Sequence, residues 1–74
     1  MLETSEQAAE KAATDLLANS SIRELRDLRV DGTETQLRLS GRVSSFYHKQ
    51  MAQESVRRVT EGRQIVNRVM VTPR

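Results

Sequence analysis

Ten of the twelve basic residues in this 74-residue chain are arginine, and four of them, Arg29, Arg38, Arg42 and Arg68, sit among alternating apolar residues. A guanidinium is planar, permanently charged and able to grip a phosphate or carboxylate through two N–H groups, so arginines gathered on one strand face suit oxyanions. Val66 and Met70 fall between them and offer apolar atoms to an acyl chain or a partner's surface. The plainer reading is that surface-facing strand positions are polar and that arginine stems cover the sheet. A second group is Phe46 and Tyr47, the only aromatics, with Arg57 and Arg58 further along the same stretch. Aromatic rings near basic residues suit a lipid headgroup region; they also suit packing over a sheet edge.

No other residues form a chemical constellation. His48 is the only histidine, so no multi-histidine metal site can be built, and Ser44 or Ser45 beside it lacks an orienting acid. Its position in an apolar arc assigns it a packing or capping role, with a pH-dependent switch as the alternative. Glu3, Glu6 and Glu10 share a helix face and read as solvated charge. Cysteine is absent, which removes disulfides, thiolate zinc sites and thiol nucleophiles together. Three scattered glycines make no phosphate-cradling loop. No catalytic, metal or cofactor residue is expected, and no enzyme.

The elements that must position these residues follow from periodicity. Leu2, Ala9, Ala12, Ala13, Leu16 and Leu17 recur at helical spacing, with Thr4 and Gln7 as a capping pair. Asn19, Ser20 and Ser21 break that helix. A short helical turn near Ile22, with Ser21 and Glu24 as a second capping pair, leads into a strand ending at about Val30, and Asp31-Gly32 signals a hairpin loop. Leu37, Leu39, Gly41 and Val43 alternate with Gln36, Arg38, Ser40 and Arg42, giving one apolar and one basic face. Ser44 or Ser45 caps a second helix with a seam of Ala52, Val56 and Val59, closed at Glu61-Gly62. Ile65, Asn67, Val69 and Val71 alternate with Val66, Arg68 and Met70 in a last strand stopped by Pro73.

The order α-β-β-α-β predicts an α+β two-layer sandwich: a three-stranded mixed sheet with two helices on one face and the other face open. Gly32 and Gly62 read as turn and cap residues, Gly41 as a place where a helix crosses the strand closely, and Asn67 as a structural lock bonded to backbone across a turn.

Length sets one domain over 1–74, with a thin core. At 36% hydrophobic and 30% charged residues the chain is apolar enough to fold rather than stay disordered. No apolar run approaches the roughly 20 residues of a membrane span. Residues 1–37 carry eight acids against four bases, residues 38–74 eight bases against two acids, so the second half holds the excess positive charge. Such asymmetry marks an electropositive surface, unless the halves neutralise each other on folding.

Taken together, LRVDG, LRLSGRVSS, a helix ending in EG and IVNRVMV resemble the BON domain of bacterial envelope and osmotic-stress proteins. The positions that carry the likeness are Val30 and Gly32; Leu39, Ser40, Gly41 and Val43; Gly62; and Ile65, Asn67, Val69 and Val71, over about residues 22–71. The Asp-Gly loop is longer than the family's usual hairpin, and Arg63 stands where an apolar residue is expected. The resemblance implies a non-enzymatic, cofactor-free binding module, attaching to anionic phospholipid or to an acidic envelope partner protein, as a monomer or weak homo-oligomer. Rival readings are RNA binding through the basic face, disfavoured by strands without stacking aromatics, and a structural module that pairs with itself or a neighbouring domain. The family tendency points to the periplasm or envelope, whereas the N-terminus lacks a signal-peptide pattern, consistent with an excised segment, a processed form or a cytoplasmic homologue.

Overall fold

The computed structural model describes residues 5–73, with side chains over 8–73. Helix α1 (Ser5–Ala18) buries Ala9, Ala13 and Leu17, one per turn, with Ala12 and Leu16 half-buried beside them. Small side chains at two of those three positions let the helix approach its support closely. The Thr4–Gln7 capping pair and Leu2 lie outside the described side chains. The helix ends at the expected break: the Asn19 amide donates to the Asp15 carbonyl (2.9 Å) and Ser20 Oγ accepts from the Ile22 N–H (3.0 Å).

A 3-10 turn follows at Arg23–Leu25, but the Ser21–Glu24 capping box does not form. Ile22 occupies the cap position, and Glu24 turns its carboxylate toward a residue twenty positions on. Strand β1 (Arg29–Gly32) runs two residues past the expected end at Val30 and pairs antiparallel with β2 (Gln36–Ser40), placing Arg29 opposite Ser40 and Asp31 opposite Arg38. The hairpin turn is therefore built at residues 33–36 rather than at Asp31-Gly32. Thr33 Oγ1 accepts from the N–H groups of Thr35 (3.3 Å) and Gln36 (3.0 Å), so a threonine side chain, not a left-handed glycine, closes the loop.

The second predicted strand is interrupted. Gly41 has φ +129, after which β3 (Arg42–Val43) continues. A Cβ at Gly41 would lie 2.7 Å from Leu28 Cδ2, so the close neighbour is the residue before β1 and not a crossing helix. Helix α2 (Phe46–Val56) is capped by Ser45, whose Oγ accepts the His48 N–H (3.2 Å). It tightens into a 3-10 turn at Arg57–Val59. It then reverses at residues 60–63 with Glu61 (φ 53) and Gly62 (φ 86), closed by the Arg63 N–H to the Thr60 carbonyl (3.1 Å). Strand β4 (Gln64–Asn67) pairs parallel with β2, and β5 (Met70–Val71) parallel with β3. The ladder runs across both interruptions: Arg68 donates to Leu39, Met70 to Gly41 and Thr72 to Val43, at 2.8–2.9 Å.

The sheet order is β1-β2-β4, with β2 central. Both helices cover one face, giving the expected α+β arrangement. Leu17, Leu25, Leu37, Leu39, Val56 and Val69 are fully buried there, each contributing about 1.5–3 kcal/mol by removal from water. No polar or charged residue is buried among the described residues.

Each sheet edge has one outward N–H taken by a side chain. Along β1 it is Gly32, whose N–H donates to the Glu10 carboxylate of α1 (2.9 Å); Glu10 is thus a tie and not solvated charge. On the last strand Arg68 and Met70 donate inward, so the Val69 N–H points out, and Asn67 Oδ1 accepts it (3.2 Å).

Candidate anion-binding face

Period-two geometry sends Leu37, Leu39 and Val43 into the core and Arg38, Ser40 and Arg42 to the opposite side. The register then aligns rows across the strands. Asp31, Arg38 and Val66 form one row; Arg29, Ser40 and Arg68 the next; Arg42 and Met70 the last. Among them is an open depression of about 500 Å³ lined by Asp31, Arg38, Ser40, Gly41, Arg42, Arg68 and Met70, while Arg29 stands beside it on β1. The four arginines expected on one face share it.

These four share with Arg23 and Arg58 a lack of side-chain partners among the described residues, and of those six they are the ones that lie on the bare sheet face. Arg57 is held by Glu54 (3.5 Å), Arg26 by the Ser20 carbonyl (2.8 Å) and Arg63 by the Thr60 carbonyl (3.4 Å). Arg29, Arg38, Arg42 and Arg68 make no side-chain hydrogen bond or ion pair with any described residue. Asp31, directly across from Arg38, is the one acid lining the depression. Its membership follows from the longer β1, which a strand ending at Val30 hides; its alternation with Arg29 was the signal.

Phe46 and Tyr47 are exposed, at 67% and 64%, so their rings do not pack over the sheet. They do not form one patch with Arg57 and Arg58 either. Eleven helical residues set Phe46 about 16 Å from Arg57 along the axis. Arg58 instead lines a groove of about 430 Å³ between α1 and the 3-10 turn, with Ala12, Leu16 and Val59.

His48 is half-buried at the start of α2. Its Nδ1 lies 2.9 Å from Ser45 Oγ and 3.2 Å from Glu24 Oε2, and the Glu24 carboxylate also accepts the Ser44 N–H and hydroxyl. A hydrolytic triad needs acid and nucleophile on opposite ring nitrogens, whereas both partners here meet one. The cluster staples the 3-10 turn to the β3–α2 junction. Sequence reading missed Glu24 because its partners lie twenty and more residues away. Asn67 bonds in both directions: its Oδ1 accepts the Val69 N–H two residues on (3.2 Å), and its amide donates to α2, at the Lys49 carbonyl (2.9 Å) and Gln53 Oε1 (3.2 Å). No group of three or more His, Cys, Asp or Glu residues that could hold a metal occurs among the described residues.

Guanidinium groups on the open face of a helix-backed sheet make a surface that can take oxyanions. The BON domain family model matches residues 4–73, nearly the whole chain, and the chain belongs to that family. Membership of that family suggests, in general terms, a phospholipid- or envelope-associated binding module. No curated protein matches the chain. No helix among the described residues is long and apolar enough to cross a membrane.

Proposed function

We propose that the chain attaches to anionic phospholipid surfaces through the open sheet face, with Arg29, Arg38, Arg42 and Arg68 as the oxyanion contacts. The observation that carries this reading is four unpartnered guanidinium groups on one side of a three-stranded sheet, with Met70 and Val66 between them. Guanidinium groups already held by carboxylates would have little left to offer a phosphate; these are uncommitted. RNA binding is less supported, because neither aromatic residue lies on a strand of that face. Self-pairing through strand edges is less supported as well, since Glu10 and Asn67 each occupy an outward N–H there.

Co-sedimentation with phosphatidylglycerol-containing vesicles against pure phosphatidylcholine tests the reading. Binding should favour the anionic vesicles and weaken as salt shortens the Debye length from about 10 Å at 0.1 M to about 3 Å at 1 M. Arg68→Ala should lower anionic-vesicle affinity about fivefold, the worth of one basic residue near a charged membrane, and Arg38→Ala, directly across from Asp31, by less. Equal sedimentation with both lipids, or none with either, sinks it.

A further inference from the structure

We infer that the domain meets an anionic bilayer end-on, at the rim where β3 and β5 finish, with Phe46, Tyr47 and Met70 entering the interfacial zone. The inference rests on the lipid reading above and specifies its orientation. Its first support is that the exposed large hydrophobic residues gather at one end. Met70 (59% exposed) pairs with Arg42 in the last row of the sheet, and Phe46 and Tyr47 begin α2 three residues after Val43. Exposed rings and a thioether at one end of a molecule whose other apolar side chains are largely covered form an apolar tip.

The charges grade in the same direction. At the hairpin end lie Glu34 and Glu61, with Arg63 between Glu61 and Gln64, whose N–H bonds the Thr35 carbonyl. The row of Asp31 and Arg38 is neutral, the next holds Arg29 and Arg68, and Arg42 closes the series beside Met70. From Gln36 to Val43 the gradient spans about 23 Å at ~3.3 Å per residue. Glu24, an acid at the rim, has its carboxylate occupied by the Ser44 N–H and hydroxyl and by His48, and Asp27, exposed just before β1, is flanked in sequence by Arg26 and Arg29. Helix α2 adds the positive end of its dipole at the same place. Lying flat would instead press Asp31 and Glu34 toward anionic headgroups, which repel them.

The chain has no tryptophan, so Phe46→Trp provides a single reporter at the tip and Glu34→Trp one at the far end. In variants of the 74-residue chain added to phosphatidylglycerol-containing vesicles, the emission of Trp at position 46 should shift to the blue and be quenched by brominated acyl chains, while that at position 34 should stay unchanged. Phe46→Ser with Tyr47→Ser, both at exposed positions, should lower vesicle affinity about tenfold or more, as expected for losing interfacial aromatic area. Sedimentation with anionic vesicles but no shift at position 46, or a shift at position 34 as well, overturns the end-on orientation and leaves the lipid reading standing. A wild-type chain that does not sediment overturns that reading, and the orientation with it.

Discussion

The two faces of the sheet carry polar groups of different standing. On the helix-covered side the one polar strand residue among Leu37, Leu39, Ile65 and Val69 is Asn67, and its amide reaches Lys49, Gln53 and Val69. On the bare side four arginines make no side-chain hydrogen bond or ion pair with any described residue. Partial burial favours satisfaction, because an unbonded amide shielded from water costs about 1–3 kcal/mol. Water releases the other face from that rule. A face whose charges are left unpaired retains its capacity to bind, and a face whose polar group is fully engaged retains shape.

That contrast can be broken most severely from the covered side. Leu39→Ala, which empties a fully buried site, should cost about 2–5 kcal/mol in urea denaturation, a large part of what a chain this short possesses. Gly41→Ala should follow. It puts an alanine at φ +129 and a Cβ 2.7 Å from Leu28, for a loss of about 1–3 kcal/mol that Leu28→Ala made in addition should partly relieve. If the double variant is as unstable as the sum of the two singles, steric conflict with Leu28 is not the reason for the glycine. Asn67→Ala, removing the lock between α2 and the last strand, should cost about 1–3 kcal/mol and speed amide exchange at Val69. At the bottom of the scale, the Arg38→Ala and Arg68→Ala variants used for vesicle binding should change stability by no more than about 0.5 kcal/mol. A larger change would mean that these arginines hold the fold together.

The alternation of Leu37, Arg38, Leu39, Ser40 and of Ile65 through Val71 made the division of faces legible in the sequence, and with it the grouping of the arginines. Local pattern could not reveal contacts made over distance. Glu10 meets Gly32 across 22 residues and Glu24 meets Ser44 across 20, and each glutamate has an equally good local explanation, as solvated charge or capping partner. Turn chemistry misled in one place. Asp31-Gly32 resembles a hairpin turn, yet Thr33 supplies the closing bonds, so β1 is longer and carries Asp31 into the basic depression. The close approach at Gly41 was foreseeable from a glycine in an apolar strand face, but not its partner, since only the folded backbone brings Leu28 there.

The ties at Gly32 and Val69 bear on how the molecule behaves in a crowd. Proteins gathered on a two-dimensional surface meet at high local concentration, where bare strand borders tend to zip into ribbons. Here a newcomer strand that pairs along a whole border meets a carboxylate at Gly32 on one side or an amide at Val69 on the other. Dense layers of this chain should therefore remain collections of separate units.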